Sequence, residues 1–277
     1  MKIAITGDVE RFEAQTESFL RRDPLRHTVI TTIIANRRSG LDNTTDPCHF
    51  VSVHGDDGSV HGVAVWVAGR EIYLGRLPAD SVDAVADAFA EAVPQTGGVE
   101  GATDTALSFA ERWAAVRGVG FQLSYVTRLY RLDTVRLPDV PGSPRRATES
   151  DLARCMEWSQ AMRVESGIAV GGWNAVAMRR RIAAGRWWLW ERDGRPVSLA
   201  AHQIPAHGWA RIGPVYTPPA DRGNGYAAVL TAHVGHTLRT GNVDVCLFAD
   251  RANTTANKIY RAIGFQHVRD FAHYDFG

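Results

Sequence analysis

Apolar positions in the second half of this chain alternate between a helical and a strand period, and the changes of period mark its elements. From Ser150, with Asp151 and Leu152 following, apolar residues recur at helical spacing to about Val164. Asn174 is suited to cap a second helix that runs to Ala184, with Gly185 as its stop. Two strand-like runs, Arg186 to Glu191 and Pro196 to Ile204, flank Asp193-Gly194, a hairpin signal. Trp209 to Thr217 predicts a third strand. A helix follows from Gly223 to about Leu238, with Ala227, Leu230, Val234 and Leu238 on one face. Val243 to Phe248 reads as a strand and Asn253 to Ile263 as a short helix. Gly264-Phe265 leads into a last strand or strand pair.

The first half repeats this series. Helices near Phe12–Arg21 and Leu25–Arg37 precede strands near His49–Val53, Val60–Val67 and Glu71–Leu77, with Asp57-Gly58 as the first hairpin turn. Helices near Ser81–Ala92 and Thr105–Val116 and a long strand from Phe121 to about Leu132 complete it. Between the halves, Leu137 to Ser143 and Pro144 carry three prolines and a glycine, which makes the stretch extended, exposed and poor at joining a sheet. The expected organisation is therefore a first unit over 1–136, a linker over 137–144 and a second unit over 145–277. The fold class is α/β of the α+β type, with each unit a mixed, mostly antiparallel sheet flanked by helices.

Composition narrows the partners. The 277 residues suffice for a full core. The net charge of +1 makes no electrostatic case for nucleic acid or an anionic membrane. Arg179-Arg180-Arg181 reads as a solvated helix face. Three scattered cysteines, Cys48, Cys155 and Cys246, form no disulfide framework. No run approaches the ~20 apolar residues of a membrane span, so a cytoplasmic protein is expected. Assembly as a homodimer is compatible with the sequence.

Chemistry concentrates in two runs. In Val215-Tyr216-Thr217-Pro218-Pro219-Ala220-Asp221-Arg222-Gly223-Asn224-Gly225-Tyr226-Ala227, a strand stops at two prolines and a glycine-bearing turn opens into a helix. Glycine and alanine let a ligand approach the backbone, and the first helical N–H groups carry partial positive charge without an internal acceptor. Such a turn suits a pyrophosphate, and it lacks the lysine of a Walker loop. The first half has Leu77-Pro78-Ala79-Asp80 at the corresponding place, without a glycine and with a carboxylate that repels phosphate. In the second run, Asn253 caps the short helix, Ala256, Ile259, Tyr260 and Ile263 share a face, and Gly264 fits its left-handed stop.

The two runs in this order resemble the GNAT superfamily of acyl-CoA-dependent N-acetyltransferases. Arg222, Gly225 and Ala227 match its R-x-x-G-x-A pattern. Asn253, Ala256, Tyr260, Gly264 and Phe265 match its N-x-x-A-x-x-x-Y-x-x-x-G-F signature. The resemblance covers about residues 143 to 277. It implies acetyl-CoA as acyl donor, with its pyrophosphate on the N–H groups of Arg222, Gly223, Asn224, Gly225, Tyr226 and Ala227. It also implies a pantetheine arm along Val215 and Thr217, Asn253 near that arm, and Tyr260 as proton donor to the departing sulfur. The acceptor is then an amine, of a small molecule or a protein, attacking directly.

The base is not fixed by the resemblance. Many members carry a carboxylate on the strand before the cradle, where this chain has Arg211; candidates are Glu165, His202 and Asp250. Arg211 reads as a structural salt-bridge residue or as a partner for an acidic acceptor. Most of the tryptophans ahead of the cradle read as core; Trp158 and Trp173, beside Gly171-Gly172, are equally suited to shaping an acceptor site. A non-catalytic acyl-CoA-binding or scaffold protein is the alternative reading, favoured by the missing strand carboxylate and opposed by Tyr260.

Overall fold

A computed structural model describes residues 1–40, 46–93, 95–167 and 174–277. Trp173 and Gly171-Gly172 lie outside them. The first half contains β1 (Lys2–Thr6), α1 (Val9–Leu20), α2 (Thr28–Ser39), β2 (Cys48–His54), β3 (Val60–Val67), β4 (Ile72–Leu74), α3 (Val82–Ala92), β5 (Gly98–Ala102), α4 (Thr103–Arg117) and β6 (Phe121–Leu132). The second contains β7 (Ser143–Arg146), α5 (Leu152–Glu165), α6 (Ala175–Ala183), β8 (Trp187–Arg192), β9 (Arg195–His202), β10 (Trp209–Tyr216), α7 (Tyr226–Thr240), β11 (Asp244–Asp250), α8 (Thr254–Ala262) and β12 (Phe265–Phe276). The two lists run in the same order. The local signals act as expected: Asn174 accepts from the Ala177 N–H, and Asp193 and Gly194 both take positive φ in the β8–β9 turn.

All twelve strands form one sheet, in the order β1-β2-β3-β4-β5-β12-β6-β11-β10-β9-β8-β7. Among the described residues, only β4–β5 and β10–β11 are parallel pairs. The centre of the order shows a reciprocal exchange. β12, from the second half, lies between β5 and β6 of the first, and β6 lies between β11 and β12 of the second. β6 and β12 pair antiparallel from Phe265–Leu132 to Phe276–Phe121, so the two halves are stitched along the full length of both strands.

Three strands come from stretches in which the sequence pattern predicts none. β1 pairs with β2 alone, at one end of the sheet. β5, Gly-Val-Glu-Gly-Ala, has little intrinsic strand preference. Its glycines answer to its neighbours instead: a Cβ at Gly98 would lie 2.3 Å from the Tyr274 carbonyl oxygen, and one at Gly101 would lie 2.9 Å from Leu74. β7 includes Pro144, and the stretch expected to stay out of the sheet joins it there. It does so at the edge, pairing only with β8, where proline is tolerated.

Side chains alternate between two helix-covered faces. On one face, α3 and α4 cover Ala64, Leu74, Val99 and Val126, and α7 covers Trp188, Trp190, Ala200, Ile212 and Leu247. On the other, α1 and α2 cover Val63, Tyr73, Leu129, Cys246 and Phe271, and α5 and α6 cover Trp187, Leu189, Leu199 and Tyr216. Adjacent Trp187 and Trp188 thus enter opposite cores. The arginine run is not uniformly solvated: Arg179 pairs with Glu149, whereas Arg181 is on a buried side of α6. The three cysteines are free and buried.

Candidate active site

β10 and β11 begin side by side and then part. Their parallel pairing runs from Trp209–Asp244 to Ile212–Leu247 and stops, while β11 continues to Asp250 paired with β6. On its other side β10 is irregular against β9 between Ile212 and Val215, around Gly213-Pro214. Gly213 to Tyr216 therefore lie beside β11 without a ladder partner on that side, at the mouth of a wedge within the sheet.

The cradle follows at once. After a 3-10 turn over Pro219–Asp221, Gly223 (φ 83°) and Gly225 (φ 78°) take left-handed conformations, and α7 begins at Tyr226. Among the described residues, the N–H groups of residues 223–228 meet no acceptor; the first bond back is from the Val229 N–H to the Gly225 carbonyl. These donors share the positive end of a fifteen-residue helix. A Cβ at Gly223 would meet nothing within 4 Å, and one at Gly225 would come within 3.1 Å of Val140. The loop is braced from beneath. Asn224 Nδ2 donates to the Asp221 and Arg222 carbonyls, and Arg195 holds the Asp221 carboxylate with two bonds of 2.9 and 2.6 Å. Tyr226 is buried, and Arg192 donates to its hydroxyl.

Arg222 does not point into this ring of donors. Its Nε donates to the Thr217 carbonyl (2.9 Å) and its Nη2 to Glu165 Oε2 (2.6 Å). Tyr216 donates its phenolic hydrogen to Glu165 Oε1 at 2.9 Å. Burial, and then the bond to Glu165, raise the Tyr216 pKa. Thr217 also exchanges a 2.9 Å hydrogen bond with Ser198. Glu165, one of the three base candidates, is thus held by the arginine of the cradle.

α8 supplies the other wall. Asn253 accepts from the Ala256 N–H at 2.9 Å, as a cap should. Gly264, at φ 106°, ends the helix where a Cβ would lie 1.7 Å from the Thr134 carbonyl oxygen. Tyr260 packs on the same core that Val215 and Ala228 border, between Tyr130 and Phe265. Burial pushes its phenol up to about 12, so it is protonated at neutral pH. Asn257, one turn after the cap, has no place in the sequence reading, yet it is the buried hub of this wall. Its Nδ2 donates to the Asp250 and Asn253 carbonyls, both at 2.6 Å, and its Oδ1 accepts from Tyr130 at 2.7 Å.

The other candidates are dispersed. His202 lines a cavity of about 210 Å³ with Trp188, Val234, Thr237 and Leu238, against the later turns of α7 and away from its N-terminus. Burial lowers its pKa. Asp250 ends β11, where its side chain caps the Ala252 N–H. Trp158 is buried against Tyr216. Arg211 has no carboxylate within ion-pair distance among the described residues, and its Nη1 is buried without a hydrogen-bond partner. The expected structural salt bridge is not formed.

Residues 191–274 match the family model described as FR47-like protein, a span that holds both the cradle and α8. A Drosophila protein superposes over 99% of this chain and 98% of its own, at 12% identity and a TM-score of 0.69. A GNAT-family acetyltransferase from Colwellia psychrerythraea superposes over 100% of both chains, at 12% identity and a TM-score of 0.58. A GCN5-related N-acetyltransferase from Sphaerobacter thermophilus does so over 99% and 95%, at 16% identity and a TM-score of 0.59. The chain has the GNAT fold. The resemblance read from its two motifs holds at the level of fold, and the likeness in fold extends over both halves, since these superpositions span the whole chain. No curated protein matches it in sequence. No described helix is long and apolar enough to cross a membrane.

Proposed function

We propose that the protein is an N-acetyltransferase that moves an acetyl group from acetyl-CoA to an amine. The observation that carries this reading is the row of unpaired N–H groups over residues 223–228, opened by two left-handed glycines beside the unpaired edge of β10. A pyrophosphate satisfies such donors without a side-chain cation. The pantetheine arm, an amide-bearing chain, suits the backbone of Val215 and Thr217, with Asn253 across the wedge.

In the reaction the neutral amine attacks the thioester carbonyl carbon, the C–S bond breaks, and the thiolate leaves with a proton. Tyr260 is the donor of that proton. A backbone N–H of the unpaired β10 edge stabilises the oxyanion, a contribution of roughly 3 kcal/mol when such a donor is well placed. Glu165 takes the proton lost by the amine. It becomes available once a pyrophosphate draws Arg222 toward the cradle, so donor binding and base release are coupled. The first half, with no cradle of its own, completes the sheet and the acceptor side. A second reading, an acyl-CoA-binding protein without turnover, is favoured by the same Arg222–Glu165 pair, which leaves the Glu165 carboxylate engaged.

Calorimetric titration of acetyl-CoA into the wild type and Gly225→Glu tests the site, with unfolding curves to confirm that both are folded. Binding to the wild type that disappears in the variant supports the cradle. Absence of binding to the wild type rejects both readings. Binding without thiol release across a panel of amines selects the second.

A further inference from the structure

Arg211 stands on β10 directly before the point where β10 and β11 part. Its register partner is Cys246, and its guanidinium lies over the Phe248 ring, 6.0 Å from the centroid. Both belong to the face covered by α1 and α2, so Arg211 projects from that face. Tyr216, which reaches Glu165, projects from the same face beneath α5. In a regular strand two residues five apart face opposite ways; the irregularity at Gly213-Pro214 brings them to one side. Arg211 and Tyr216 thus flank the unpaired stretch of β10, a few residues at about 3.3 Å each.

Among the described residues no carboxylate lies within ion-pair distance of the guanidinium, and its Nη1 is buried without a hydrogen-bond partner. Glu100, the carboxylate within its electrostatic reach, is 3.0 Å from His273 Nδ1, as is Glu71. Tyr73 and Cys246, its other neighbours, are neutral, and Arg70 is of like sign. An unpaired, largely desolvated guanidinium is costly to keep, and its planar fork of donors fits a carboxylate in two parallel bonds.

We propose that Arg211 is a specificity residue that holds a carboxylate of the acceptor, so that the acceptor is an amino acid or a similarly compact amine bearing a carboxylate. The inference rests on the acetyltransferase reading above. The acceptor's carboxylate would sit on Arg211 and its amine at the wedge, on the side facing Glu165.

The test uses N-acetyl-amino acids, the expected product class, and the corresponding N-acetyl-amino amides, titrated into the wild type, Arg211→Gln and Arg211→Lys. At least one acid should bind the wild type about ten- to a hundred-fold more tightly than its amide, the range for a hydrogen-bonded charge. Arg211→Gln should erase that difference and Arg211→Lys restore part of it. Equal binding of acids and amides, no binding of either, or a preference that survives Arg211→Gln overturns the inference. Acetyl-CoA titration of the same proteins separates this from failure of the parent reading, because the cradle does not include Arg211. Thermal unfolding of Arg211→Met adds an independent arm. A ligand-holding arginine without a partner predicts an equal or higher Tm, and a clear fall in Tm assigns Arg211 to structure instead.

Discussion

Arg222 and Glu165 join the cradle to the last turn of α5 through a 2.6 Å hydrogen bond, although they are 57 positions apart. Both side chains remain more than two-fifths exposed, at 47% and 43%. An ion pair so open to water is worth only about 0–1 kcal/mol, so an arriving pyrophosphate can displace it. In the proposed reaction the pair would act as a latch between donor binding and the base. Glu165→Gln should therefore lower kcat by about 10²- to 10⁴-fold while acetyl-CoA binds at least as tightly. Steady-state rates and calorimetry check the two halves of that statement; unchanged kcat removes Glu165 from the chemistry.

In the proposed reaction Tyr260 carries the opposite proton. Its raised pKa keeps the phenol protonated through neutral pH, the state a donor needs. Tyr260→Phe preserves the packing against Tyr130 and Phe265 and removes only the hydroxyl. Turnover should fall by about 10²- to 10⁴-fold with acetyl-CoA affinity unchanged. Equal turnover of the two proteins would assign the proton to another group.

Gly225 should resist even a methyl group. Alanine there is forced into a left-handed conformation, which costs roughly 1–2 kcal/mol, and its Cβ must press on Val140. Gly225→Ala is expected to lower Tm and weaken acetyl-CoA binding together. Gly223→Ala, with open space around its Cβ, should show the conformational cost alone in Tm. Comparison of the two unfolding curves separates strain from contact.

Asn257 makes three hydrogen bonds that tie β11, α8 and β6 together, and it is buried. Asn257→Ala strands the buried Tyr130 hydroxyl, while the Asp250 and Asn253 carbonyls keep their bonds from the Asn253 and Asn257 backbone N–H groups. A loss of about 1–3 kcal/mol in denaturant unfolding is expected, the cost of one buried unsatisfied group. A loss under about 0.5 kcal/mol, the size of an ordinary surface change, would show that water replaces the amide freely.

His273 sets a pH dependence. Burial alone lowers its pKa, but hydrogen bonds to Glu100 and Glu71 outweigh that and raise it to about 9, above an ordinary value of 6.5. The stabilisation is fully present below pH 6.5 and is lost as pH rises through about 9. Tm should therefore fall between pH 7 and 10, and His273→Gln should flatten that part of the profile. An identical slope in the variant would place the titration elsewhere.

Much of this was legible in the chain, for physical reasons that differ by element. α7 and α8 announce themselves by period, cap and stop, all local properties of Gly225, Asn253 and Gly264. The hairpin at Asp193-Gly194 is equally local. β5 was not legible, because Gly98 and Gly101 reflect the closeness of Tyr274 and Leu74, which are remote in sequence. The same holds for the site. The cradle could be read from Arg222 to Ala227, but the side chain of Arg222 turns to a carboxylate that no spacing links to it. Asn257 carried one available signal, an amide on the inward side of a capped short helix. The strand exchange carried none, since β6 and β12 look alike whichever half they complete.

That exchange bears on how such a molecule can change over time. A half with no cradle would ordinarily be expendable, free to decay or to be lost. Here it lends β6 to its neighbour and takes β12 in return, so deleting either half leaves the other with a missing rib and three raw edges. Chemistry can drift out of the first half without consequence for its retention. What selection must preserve there is shape, and the two halves are inherited as one object.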